Sequence, residues 1–268
     1  MALVILCGIS AAAVPGVRPI MSGWWNSPER LAALPQNPQV HYEPGAIEQA
    51  RTVAATLPDA IARIEAIHGR RFAHPVTIGV YVSPEAFVAA NGLGMPGAVG
   101  TTFLGNVMLS PVLFSTQRRR MPAILAHELS HAHLQSWISQ LAYLRLPNWF
   151  KEGLAVMVSE GGGAEGVSDL QARDAIRRGD RIDIEPSGSL LNLSAVKFEN
   201  PEIPGGSFRT QLAYRQAELF VAFLHDSNPA GFERMMDAIF ESRPFAEALT
   251  TAYATDLPTL WSGFAGAR

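Results

Sequence analysis

The sequence predicts an α+β fold: a small mixed or antiparallel sheet in the first half, a histidine-bearing helix, then a mainly helical C-terminal lobe. Three observations carry this. Residues 46–68 repeat apolar side chains at helical spacing, residues 75–82 alternate at strand spacing, and the helical period returns from residue 211 onward. With 268 residues, 48% of them hydrophobic, the chain is long enough for one large domain or two small lobes.

At the N-terminus, residues 2–14 are apolar and end at Pro15-Gly16. That is short for a membrane span but has the length of a signal-peptide core, and Ala11-Ala12-Ala13 offers a small-residue cleavage pattern. The basic residues expected ahead of such a core are missing. Residues 1–20 therefore read as a signal peptide or N-terminal anchor, with Trp24-Trp25 near lipid headgroups. This predicts an exported, periplasmic or membrane-anchored protein, with a buried N-terminal segment in a cytoplasmic protein as the alternative. The single cysteine, Cys7, lies inside this leader, so the mature chain is expected to have no disulfide or thiol chemistry. Leu6 before it makes a poor lipid-attachment signal.

Residues 21–40 read as a linker, with Pro35 and Pro38 inside it and Pro44 just beyond. The main domain is expected over 41–268, as a sheet and histidine-helix lobe (41–135) and a helical lobe (136–268). Ala50, Val53, Ala54, Leu57, Ile61 and Ile64 give 46–68 its helical stripe. Residues 75–82 form a strand, Ser83-Pro84-Glu85 opens a short helix toward Ala90, and 91–97 is loop. Strands at 98–104 and 107–109 flank Gly105-Asn106 as a hairpin. Arg118-Arg119-Arg120 is the only basic run. It reads as a solvated turn, with contact to a substrate carboxylate or lipid headgroup as the other reading. The net charge of −3 is too small to suggest a nucleic-acid partner.

The next segment specifies a chemistry. In His127-Glu128-Leu129-Ser130-His131 the two imidazoles are four residues apart, so at about 3.6 residues per turn they point the same way and can reach one metal ion. Ile124, Leu125, Ala126, Leu129 and Ala132 bury the helix back. Glu128 leans over the same face and can deprotonate a water without being a ligand. Glu152 offers a third ligand from a helix over 149–158, with Asn148 as N-cap and Gly161-Gly162-Gly163 as the stop. Three protein ligands and one open position are the pattern of a catalytic zinc site. The bland alternative is a buried helix with two satisfied histidines and a paired glutamate. Leu134 and Trp137 occupy the places where a metzincin needs glycine and histidine, which excludes that pattern. His133 points to another side of the helix and reads as a supporting or surface histidine. Glu160 is a weak candidate for orienting a metal-bound histidine.

Beyond it, residues 160–210 are irregular around one helix at 168–178, and 201–206 reads as a loop able to cover a cleft. Helices are expected at 211–224, 230–242, 245–253 and 257–264.

His127-Glu128-x-x-His131 followed by Trp149-Phe150-Lys151-Glu152-Gly153-Leu154-Ala155 resembles the gluzincin metallopeptidases, most of all the bacterial peptidase MA-like domains, with thermolysin and the aminopeptidase N family more distant. Residues 213–221 and 245–261 resemble the helices that follow in those domains. The resemblance implies a zincin-like fold, one Zn2+ held by His127, His131 and Glu152, and hydrolysis of a peptide or protein substrate with Glu128 as general base. It also implies an oxyanion donor near Tyr214, since related gluzincins place a Tyr or His at a similar distance after the third ligand. A core tyrosine is the other reading of Tyr214, and His225 is a weaker candidate. The strand at 98–104 would run along the cleft and pair with substrate backbone, or serve as an ordinary hairpin. Two further functions compete: a non-proteolytic binding module that retains the metal, and a zinc amidohydrolase acting on an envelope amide. An endopeptidase is favoured over an aminopeptidase because no acidic anchor for a free N-terminus precedes the motif.

Overall fold

Two short strands begin the sheet. β1 (Ala32–Leu34) and β2 (Asn37–Tyr42) pair antiparallel, and Leu34 and Val40 from them are buried. They occupy the stretch that reads as a linker. Its prolines sit in the turn and at an exposed strand position, where no ladder hydrogen bond is lost, so the apolar pair beside them can join the core. A computed structural model describes residues 17–188, 196–200 and 206–266. Residues 1–16 of the expected leader, with Cys7 and Ala11–Ala13, and residues 201–205 of the loop expected over the cleft, lie outside the described residues, while residues 17–20 of that leader open a helix that runs to Trp25, across the expected boundary with the linker.

The helices are α1 (Val17–Trp25), α2 (Ile47–His68), α3 (Pro84–Ala90), α4 (Val112–Ser115), α5 (Met121–Trp137), α6 (Gln140–Arg145), α7 (Asn148–Val158), α8 (Asp169–Arg177), α9 (Ser207–Ser227), α10 (Pro229–Phe240), α11 (Phe245–Tyr253) and α12 (Leu257–Gly266). With β3 (Ile78–Val80), β4 (Gly100–Phe103) and β5 (Asn106–Leu109) the sheet has five strands in the order β1-β2-β3-β5-β4. β2, β3 and β5 run parallel, and both outer pairs are antiparallel. The fold is α+β with a mixed sheet, as the patterning predicts.

Several boundaries differ for physical reasons. The strand expected over 75–82 shortens to Ile78–Val80, fully buried between β2 and β5, while Val82 is exposed. The hairpin turn falls on Leu104-Gly105, because both residues adopt the left-handed backbone of a tight turn (φ 51° and 79°) and Asn106 pairs with Phe103. Asn148 is the first residue of α7 and Pro147 its cap. Helix α8 is closed at its N-terminus by a reciprocal capping box between Ser168 and Gln171.

The layers that position the site are α5, α7 and α9. Every residue from Ile124 to Leu134 is buried, so α5 is the central element of the core. Gly153 lets α9 lie directly on α7: a Cβ there would stand 2.5 Å from the Ala217 carbonyl oxygen. An aromatic cluster, with Phe220 of α9 5.1 Å from Trp149 of α7 and 4.9 Å from Trp261 of α12, locks this packing. α9 is thereby fixed against the helix that carries Glu152.

Candidate metal centre

On α5 the four-residue spacing brings His127 and His131 together, with their Nε2 atoms 3.3 Å apart. Glu152 Oε2 from α7 completes a triangle, 3.4 Å from His127 Nε2 and 3.6 Å from His131 Nε2. Two ligands held at about 2.05 Å by a tetrahedral ion stand about 3.3 Å apart, so the triangle has the size a single zinc-like ion requires. The group can hold a metal ion. Its donors are two imidazoles and a carboxylate, with Glu128 as a second buried carboxylate beside them, a charge balance that favours a divalent cation.

Each ring is oriented through its other nitrogen. His127 Nδ1–H donates to the Gly162 carbonyl at 2.9 Å, which turns Nε2 toward Glu152 as the atom that would meet a metal ion. Gly162 comes this close because α7 ends at Val158 and Glu160 and Gly161 turn the chain back with positive φ (55° and 96°). A side chain on Gly162 would meet the Ala123 carbonyl oxygen at 2.8 Å. His131 Nδ1 pairs with the Tyr143 hydroxyl at 3.1 Å. On the same helix as His131, Gln135 Oε1 accepts the Gly105 N–H at 2.8 Å. His131 is thus braced by α6, and α5 itself holds the tip of the β4–β5 hairpin.

The electrostatics follow from burial and proximity. Burial alone would raise the Glu152 carboxyl, but His131 and the hydrogen bonds from both imidazoles outweigh it and hold the carboxyl far below its usual range. Burial lowers His127, and Glu152 and Glu128 more than restore it, lifting it above the ordinary imidazole value. Burial and the Glu152 charge raise the phenols of Tyr143 and Tyr214, so both are protonated at neutral pH and can donate. Lys151, 2% exposed, is pushed down to about 8 by burial, against the pull of Glu152. Its ammonium lies 4.7 Å from the Tyr143 ring centre.

Glu128 sits outside the triangle, against the edge strand. Its Oε2 accepts the Thr102 hydroxyl at 2.8 Å. A Cβ on Gly100 would stand 2.8 Å from Ile124 Cγ2 and 3.0 Å from Glu128 Cγ, so the strand approaches α5 only because residue 100 is glycine. Tyr214 stacks on His127 with ring centres 6.1 Å apart and 16° between planes, close enough to Glu152 for the carboxylate charge to raise its phenol. His127, Glu128, His131, Tyr143, Glu152 and Tyr214 line one cleft of about 650 Å³, whose walls include Thr101, Phe103, Leu144 and Phe198.

Five residues singled out by the sequence, His127, Glu128, His131, Glu152 and Tyr214, converge here. Others go elsewhere. His225 pairs with Asp226 at 2.7 Å at the end of α9 and does not line the cleft. Glu160 is exposed and reaches Arg63 at 3.1 Å. His133 is not at the surface: it is fully buried on the back of α5, bonded to His68 at 2.9 Å. Arg120 of the basic run forms an ion pair with Glu165 at 2.7 Å, on the chain that returns from α7. Tyr143, Gly162, Thr102 and Gly100 carry no sequence signal that separates them from ordinary core or turn residues. Their roles depend on contacts between distant segments. No protein-family model, curated protein or solved structure matches this chain.

Proposed function

We propose that this protein is a zinc-dependent peptidase of the gluzincin type, with His127, His131 and Glu152 as ligands and Glu128 as general base. The observation that carries the proposal is the buried ligand triangle with a fourth group, Glu128, held beside it on the cleft wall and not among the ligands. A structural metal site has no use for such a carboxylate. Two imidazoles and one carboxylate suit zinc. When bound, the ion supplies Lewis acidity toward a carbonyl and lowers the pKa of a coordinated water. Glu128, with one oxygen fixed by Thr102, takes the proton from the attacking water and returns it to the leaving amine. Tyr214, kept protonated, donates to the oxyanion that develops on the substrate carbonyl. β4 is the last strand of the sheet and borders the cleft, so its free edge offers backbone groups to an extended chain, which favours polypeptide over a small amide.

The test is metal analysis beside cleavage of a fluorogenic peptide library, with and without chelator. The purified protein is expected to hold one zinc and to cleave. Glu128→Gln should keep the metal and lose about 10²–10⁴ in turnover. Equal turnover in Glu128→Gln would remove Glu128 from the mechanism. Zinc without cleavage of any peptide would leave a metal-retaining binding module.

A further inference from the structure

Helix α1 turns its apolar side outward. Ser22 and Gly23 face the protein: Ser22 Oγ donates to the Ala89 carbonyl at 2.9 Å, and a Cβ on Gly23 would stand 2.6 Å from Gly92 Cα and 2.9 Å from Phe103 Cε1. At about 100° per residue the opposite arc holds Ile20, Met21, Trp24 and Trp25. These are 45%, 42%, 64% and 63% exposed. Amphipathic helices of globular domains bury that arc, and this one presents it. Arg18 and Arg30 are exposed on the flanks, and the Arg30 guanidinium lies 4.9 Å from the Trp25 ring centre.

The apolar surface does not stop at the helix. Leu93 and Met95 of the loop after α3 are exposed, and so is Leu104 at the hairpin tip. Leu104 adopts a left-handed backbone (φ 51°), where a leucine is strained and an asparagine or glycine would relax the turn. Ile20, Leu93, Met95 and Leu104 all line the mouth of the metal cleft. One continuous apolar rim therefore joins the outer face of α1 to the entrance of the candidate site.

The occupant of this surface is indicated by what precedes it. Residues 2–14 contain no charged side chain and lead into α1 through Pro15-Gly16 alone. An uncharged apolar segment, an outward tryptophan pair and flanking arginines make up a lipid-interface element. We propose that the outer face of α1, with Leu93, Met95 and Leu104, seats the protein on a bilayer surface, so that the metal cleft opens at the level of the headgroups. If the peptidase reading holds, its substrates are polypeptide segments held at that surface. This second statement rests on that reading, and the docking itself does not.

The full-length protein is mixed with vesicles of phosphatidylcholine and phosphatidylglycerol at 3:1, with and without phosphatidylcholine brominated near the headgroup end of its chains. Cosedimentation and quenching of tryptophan fluorescence are expected. Trp149 and Trp261 are buried, and Trp137, 36% exposed, lies at the end of α5 under the Arg70 guanidinium, so most of the quenched signal should disappear in Trp24→Ala/Trp25→Ala, and the same loss is expected when Trp137→Phe is the background. Partitioning of that variant should fall by about tenfold or more. Leu104→Asn, which relaxes the turn and so does not endanger folding, should weaken partitioning about twofold to threefold. Unchanged partitioning and no bromolipid quenching would show that residues 1–16 alone attach the chain, and would overturn the proposal. A lipid-free dimer that Trp24→Ala/Trp25→Ala dissociates, with no vesicle binding, would assign the face to a second copy. Resistance of the tryptophan pair to acrylamide before vesicles are added would show that the chain's own N-terminal segment covers it. Vesicle binding needs no turnover, so a protein inert toward every peptide leaves this test intact.

Discussion

His68 supplies a quantitative test of how the helix carrying His127 and His131 is held. Behind the ligand face, Ser130 Oγ–H lies 3.2 Å from His68 Nε2, His68 Nδ1 lies 2.9 Å from His133 Nδ1, and His133 Nε2 lies 2.8 Å from the Arg70 carbonyl. The carbonyl only accepts, so His133 carries its proton on Nε2, His68 donates from Nδ1, and Ser130 donates to His68 Nε2. Every nitrogen is used, and both rings are neutral. Burial, then the neighbouring His133 and His131, hold His68 well below its ordinary value. A folded-state pKa below the unfolded one means that the unfolded chain binds the proton first. Stability is therefore fully present above about pH 6.5 and falls as pH drops from there toward the folded pKa. If folded His68 stays neutral to pH 5, the loss between pH 7.5 and pH 5 is about 2 kcal/mol from this one residue. His68→Gln keeps both bonds, because the amide oxygen accepts from Ser130 and the amide nitrogen donates to His133, yet it cannot titrate. Urea unfolding of both proteins at pH 7.5 and pH 5, with metal removed, reads the difference. The variant should lose about 2 kcal/mol less on acidification. Identical losses would mean that His68 is protonated in the folded state and that the neutral chain of hydrogen bonds is wrong.

The other predictions concern the cleft. Tyr214→Phe should reduce kcat by about 10²–10³-fold with zinc content and KM little changed, and an unaltered kcat would return Tyr214 to the role of a packing residue. Tyr143→Phe removes the partner of His131 Nδ1, so metal affinity by competition with a chelator dye should weaken about tenfold to a hundredfold. Gly100→Ala drives a methyl group into Ile124 and Glu128 and should cost about 1–3 kcal/mol of stability and about 10²-fold in turnover while the metal stays bound; normal turnover would show that the strand yields freely. Lys151 pays about 3 kcal/mol to remain charged at neutral pH, since its pKa falls from 10.5 to about 8. Lys151→Met should raise Tm, with the gain largest below pH 8 and fading toward pH 10.5, and a lower Tm at pH 7 would contradict the burial argument.

The histidine pair of the candidate metal centre was legible because it is local chemistry. Two histidines four residues apart must share a helix face, while Glu152 was placed with them through the resemblance of the run Trp149–Ala155, and the structure brings it to within 3.4 Å and 3.6 Å of the two imidazoles. The long helices were legible for the same reason, since their stripes repeat over several turns. The short strands at 32–34 and 37–42 were hidden by the prolines around them, and their only signal, the buried pair Leu34 and Val40, is too brief to show a period. The turn at Leu104-Gly105 was misplaced by one residue because leucine is a poor predictor of a left-handed backbone.

The sequence by itself determined which side chains could take part, because residue type and spacing within one helix set direction and donor chemistry. Tertiary structure alone decided how they are held. The Gly162 carbonyl, the Tyr143 hydroxyl, the Thr102 hydroxyl and the stacked Tyr214 ring come from segments that sequence spacing cannot relate. They meet only because Gly153 and Gly100 leave room for a helix and a strand to close on the core.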